Sequence, residues 1–139
     1  MEVHVNYLAV VLAMVSSMVI GSIWYARGVF GDTWIKLAKI DMKKDKGSAF
    51  KPIAITLVVS LITAYVLAHV TYLSNQFFHH SFLQDAVTTA FWLWLGLTAA
   101  RFITHDAFEG RPAKLTALNC AHELVTLLVM AVIIGAFGV

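Results

Sequence analysis

Charge is what this chain has least of. Only 13% of its 139 residues are Asp, Glu, Lys or Arg, against 60% hydrophobic residues, where soluble domains average roughly 25% charged and 45–50% apolar. A chain of this size cannot cover a water-facing surface with so few charges. The net charge of +2 also leaves no basic footprint for nucleic acid. There is one cysteine, Cys120, which excludes an internal disulfide or a cysteine cluster for zinc or iron–sulfur. The start, Met1 to Asn6, has no basic n-region, so the first apolar run is expected to stay as a membrane span and not be removed as a signal peptide. No phosphate-cradling glycine loop and no nucleophile elbow is found.

Four stretches hold no charged residue at all: Val3 to Ala26, Pro52 to Gln84, Ala86 to Ala100 and Leu124 to Val139. About 20 mostly apolar residues cross a bilayer core as a helix. The expectation is an all-α membrane protein in one domain, a four-transmembrane-helix bundle with spans at about 5–25, 52–73, 82–104 and 115–137. Pro52 suits a first helical turn, and Glu109-Gly110-Arg111-Pro112 suits a stop between the last two spans.

The ten cations sort to one side. Seven, from Arg27 to Lys51, lie in the first connection, and Arg101, Arg111 and Lys114 flank the third. The positive-inside rule then places both connections in the cytoplasm and both termini outside. Within the first connection Phe30, Trp34, Leu37 and Ile40 recur at helical spacing, opposite Asp32, Lys36, Lys39 and Lys43. This pattern predicts a short amphipathic helix at the interface, with Asp32 as N-cap and partner of Lys36. The run Lys43-Lys44-Asp45-Lys46 fits a solvated linker facing anionic lipid.

Small residues four apart form two ridges, Ala9, Ala13, Ser17 and Gly21 in the first span and Thr56, Ser60, Ala64 and Ala68 in the second. Helices approach closely at such positions in lipid, within the chain or between copies.

Chemistry concentrates in the last span. Thr116, Asn119, His122, Glu123 and Thr126 share one polar stripe, and Glu123 lies about 13 Å along the helix from Lys114. A carboxyl at that depth is expensive and should face the interior or water. Glu123, His122 and Asn119 are therefore candidates for binding or proton coupling, with Arg101 as a partner for Glu123 unless it extends to the headgroups. His105 and Asp106 would stand at the mouth. The same stripe could instead only fix packing. On the other side His4, His69, His79 and His80, with Glu2 and Asp85, offer metal or haem ligands, but their spacing does not predict a metal site, and no cofactor is expected. Trp24, Tyr25, Trp34, Tyr72, Trp92 and Trp94 fit belt or packing roles.

Three functions compete on these residues. The first is an oligomeric transporter or channel for a small solute or ion, since one copy has too few helices to wall a path. The second is an accessory or structural membrane protein. The third is a membrane redox or quinone-binding protein.

The segments Asn6 to Val11, Gly21 to Tyr25, Phe30-Gly31 with Trp34, Phe91 to Leu97, Phe108 to Pro112, Lys114-Leu115, Asn119 and Gly135 together resemble the bacterial family called domain of unknown function 1761. Ala26-Arg27 follow Tyr25 where that family carries Ser-Pro, and the His122-Glu123 pair is not part of the resemblance. The resemblance implies a four-helix membrane protein and implies no activity.

Overall fold

The computed structural model describes residues 2–40 and 50–139. The chain adopts the expected all-α fold, with five helices among the described residues: α1 (Tyr7–Trp24), α2 (Gly31–Leu37), α3 (Phe50–Phe78), α4 (Phe82–Phe108) and α5 (Ala113–Phe137). All but α2 are long and apolar enough to cross a membrane.

Capping chemistry marks the ends. Asn6 Oδ1 accepts from the Ala9 N–H at 3.2 Å, and Ser81 Oγ from the Gln84 N–H at 3.2 Å. Each satisfies one of the donors a helix start leaves free. Pro52 falls in the first turn of α3. The α4–α5 turn passes through Gly110 at φ +66°, where a residue without Cβ is favoured.

The helices outrun the apolar stretches that betray them. Helix α3 continues through Asn75 and Gln76 to Phe78, and α4 continues to Phe108, because apolar length measures the bilayer core and not the helix. The connection between α3 and α4 thus shrinks to three residues, His79–Ser81, with His79 in the left-handed region at φ +57°.

The four long helices form an up-and-down ring in the order α1, α3, α4, α5, closing on α1. Each neighbour runs antiparallel, as short or single-sided connections require. Both termini and the His79–Ser81 turn share one end, where the His4 ring lies 5.8 Å from that of Tyr72. The described cations, among them Arg27, Lys36, Lys51, Arg111 and Lys114, gather toward the other. Ala9, Val10, Ala13, Ala64, Leu67, Ala68, Ala86, Ala90, Met130, Ala131 and Ile134 fill the middle. Alanines dominate because backbone closeness, and not side-chain burial from water, holds helices together in lipid.

Two details depart from expectation. Helix α2 begins one residue before Asp32. Its N-cap is Phe30, without a side-chain cap, and the Asp32 carboxylate accepts from the Gly28 N–H at 3.3 Å. No ion pair to Lys36 forms among the described residues. The apolar side of α2 also turns onto the protein: Phe30 packs at 4.6 Å on Trp24 and Trp34 at 5.3 Å on Tyr25. Gly31 permits this fold-back, since a Cβ there would run into the Tyr25 and Ala26 carbonyl oxygens. Lys43-Lys44-Asp45-Lys46 lies outside the described residues.

Helix α4 is not α-helical throughout. Trp94–Ala99 forms a π-helical segment, at whose first residue the Trp94 indole N–H donates to the Cys120 carbonyl of α5 at 2.9 Å.

Candidate functional site

Toward the cation-rich end, α1 and α3 part over α5 and leave a cavity of about 410 Å³. Helix α5 lays His122, Glu123 and Thr126 along its floor; α1 contributes Ser17, Met18, Gly21 and Ser22; α3 contributes Ile53, Thr56, Val59, Ser60 and Thr63. Tyr25 closes the inner end, and the Trp24 and Tyr25 rings stand 5.8 and 5.0 Å from the His122 ring.

The polar atoms here are incompletely paired. His122 Nδ1 lies 3.3 Å from Glu123 Oε1, with the two side chains 13% and 37% exposed. His122 Nε2 and Thr126 Oγ1 are buried without a hydrogen-bond partner. Such a group costs roughly 1–3 kcal/mol left unsatisfied, and native proteins keep few of them. Both belong to residues that line one cavity beside a carboxyl, while Trp24 Nε1, His69 Nδ1 and Thr71 Oγ1 are unpartnered in the same way elsewhere.

The stripe of α5 splits by partner. Asn119 meets α1 through its Oδ1, which accepts from the Tyr25 hydroxyl at 3.5 Å. Thr116 turns to α4 and donates to Asp106 Oδ2 at 2.7 Å. His122, Glu123 and Thr126 remain for the cavity. Arg101 does not reach Glu123: it is exposed and lines a separate groove with His105, Asp106, Glu109 and Arg111. The sequence leaves this choice open because an arginine near a helix end can turn either way. Of the ridge residues, Ala9, Ala13, Ser17, Ser60, Ala64 and Ala68 are buried within the single chain. Gly21 is half-buried at the cavity wall, and Thr56 is exposed at its edge.

Two buried acids outside the stripe carry more structure than their positions announce. Asp85, 2% exposed in the first turn of α4, accepts from Asn75 Nδ2 at 2.8 Å and from His80 Nδ1 at 3.0 Å. Asn75 Nδ2 also donates to the His80 carbonyl at 2.9 Å, so one carboxylate clasps the α3–α4 hairpin. Asp106, 5% exposed, holds the opposite hairpin: besides Thr116 it faces Arg111 Nε at 3.7 Å, and its carbonyl accepts from the Arg111 N–H at 2.9 Å. Arg111 Nε reaches Glu109 Oε2 at 2.6 Å. A legible signal for the first clasp is a lone acid just before the uncharged stretch Ala86 to Ala100, with a histidine five residues and an asparagine ten residues before it. The histidines toward the end opposite the cations do not converge: His4 meets Tyr72, His69 meets Tyr65, and His80 holds Asp85. Among the described residues no three His, Cys, Asp or Glu side chains group as metal ligands.

Compared with known proteins, residues 8–135 match the family model described as "Protein of unknown function (DUF1761)". No curated protein matches, and no solved structure does.

Proposed function

Because the chain belongs to the DUF1761 family, whose description assigns no activity, its own site has to supply the function, and we propose that it is a membrane carrier or channel for a small solute or ion, with Glu123 as the proton-coupling group. The observation that supports this reading is the unpartnered pair His122 Nε2 and Thr126 Oγ1, buried on the wall of the cavity that also holds Glu123. Around the carboxyl stand His122 on its own helix and the Tyr25 hydroxyl from the end of α1. The described α3 wall brings no ionisable side chain, its polar groups being the hydroxyls of Thr56, Ser60 and Thr63. Proton gain or loss at Glu123 therefore changes the charge of the whole chamber, and intramembrane acids so placed are the usual elements of proton relays. The dry alanine-rich core between this chamber and the far end leaves one copy without a continuous path, so the working unit is a homo-oligomer in the bilayer.

The orientation belongs to the same proposal: the cation-rich end is cytoplasmic, in a bacterial inner membrane, with both termini outside. Reporter fusions at Val139 are expected to behave as periplasmic and fusions near Lys44 as cytoplasmic; the reverse pattern overturns the orientation.

Flux decides the function. In proteoliposomes holding a pH-sensitive dye, with small organic cations, anions and neutral solutes supplied in turn, wild-type protein is expected to couple proton movement to at least one class. Glu123→Gln keeps the side chain's size and should lower that coupled flux at least tenfold. Flux of every class absent from wild-type protein, or unaffected by the substitution, overturns the reading and leaves a structural role for the stripe.

A further inference from the structure

Hydrogen-bond polarity narrows what the cavity can hold. Three hydroxyls on its wall have already committed their protons to their own helices: Ser17 Oγ donates to the Met14 carbonyl at 2.7 Å, Ser22 Oγ to Met18 at 2.7 Å, and Thr56 Oγ1 to Pro52 at 2.9 Å. A hydroxyl bonded back in this way has only lone pairs left to offer. An ionised carboxylate likewise only accepts. His122 Nδ1 lies 3.3 Å from Glu123 Oε1, and Nε2 is on the other side of the ring. That atom is buried without a partner. Ser60, Thr63 and Thr126 on the same wall keep hydroxyls that can still donate, so the wall is mixed in hydrogen-bond polarity. Its one acidic group among the described lining residues is Glu123, and the complement of that carboxylate is a positively charged donor.

The mouth sets the rest of the ligand. Ile53 and Val59, on the α3 side of the cavity, are 52% and 54% exposed on the outside of a membrane-spanning helix, and Met18 faces them from α1. Exposed Ser22 and Thr56 share this rim, so the entrance is mostly apolar and, lying within the span, opens toward lipid tails. We propose that the cavity binds a primary amine bearing an apolar tail, its ammonium group on the Glu123 carboxylate and its tail leaving between α1 and α3. This rests on the carrier reading only for the claim that such an amine is moved; the binding claim stands on the wall itself.

Octylamine, octanol and octanoate at pH 7 are suitable probes, titrated into the protein in phosphatidylcholine nanodiscs with empty nanodiscs subtracted for partitioning. Wild-type protein is expected to bind octylamine saturably and at least tenfold more tightly than either of the others. Glu123→Gln should weaken octylamine at least tenfold. Equal affinity for octanol or octanoate, or undiminished octylamine binding by Glu123→Gln, overturns the proposal. The two claims fail separately. Selective octylamine binding without coupled flux of any solute sustains the amine site and sinks the carrier. Coupled flux of a neutral or anionic solute, without octylamine binding, does the opposite.

Discussion

Gly135→Ala is expected to cost the folded protein about 2 kcal/mol, within the roughly 1–3 kcal/mol typical of overpacking, and Gly135→Leu to leave little folded material in detergent. A Cβ at Gly135 would stand 2.7 Å from Leu83 Cα, 2.8 Å from Leu83 Cδ1 and 3.2 Å from Ala86 Cβ. The first of these is backbone, so α4 and α5 must separate to admit it. In lipid nothing offsets that separation, since exposing apolar side chains to acyl chains costs little and lost close contact is lost outright. Ala13→Leu, at a position with no exposure, should act in the same direction. Val11→Leu, at 45% exposure, should melt like wild type, as should Gly21→Ala. Thermal melts of the purified variants test the ordering; Gly135→Ala melting with Gly21→Ala would mean that the α4–α5 crossing is looser than its geometry.

Asp85→Ala is the other large effect, expected near 2 kcal/mol. Removal of this carboxylate takes the acceptor from Asn75 Nδ2 and His80 Nδ1 together. A buried group left unpaired costs about 1–3 kcal/mol. The His80 share is discounted because that side chain is 50% exposed and water replaces much of what it loses. Asp85→Asn retains one acceptor oxygen and should fall between the two. The damage is local, so limited proteolysis at His79–Ser81 should quicken in Asp85→Ala before any change appears at the cation-rich end. Cleavage at the wild-type rate would show that the clasp is not what holds this hairpin.

What the sequence makes legible follows from the range of the physics involved. Four spans, the cation-rich end and the small-residue ridges depend on composition and spacing along a single helix, and each can be seen in the chain before folding. Glu123 and His122 could be singled out because an acid deep in an apolar stretch is costly wherever it lies. Which way Arg101 turns depends on the neighbour facing it, and spacing alone left that open. Asp85 was visible only as an oxygen near histidines; that it clasps a hairpin requires α3 to continue past its apolar stretch to Phe78, bringing Asn75 within reach. The division of the α5 stripe between Asp106, Tyr25 and the cavity is likewise set by three different neighbours. The π-helical segment leaves no mark in composition, because Trp94, Leu95, Gly96 and Leu97 suit an ordinary helix equally well.

That segment has a consequence for how this chain can vary. A π turn holds one residue more than the α turn it replaces, and one residue is about 100° of helical rotation. The extra residue between Trp94 and Ala99 is therefore what lets a single rod aim Asp85 at Asn75 near one end and Asp106 at Thr116 near the other. The constraint falls on count and not on identity. A Cβ at Gly96 would meet nothing within 4 Å, and Leu95 and Leu97 are exposed, so substitutions there are cheap. A deletion of one residue in the same stretch would turn one clasp away from its partner while leaving every side chain that forms it in the sequence.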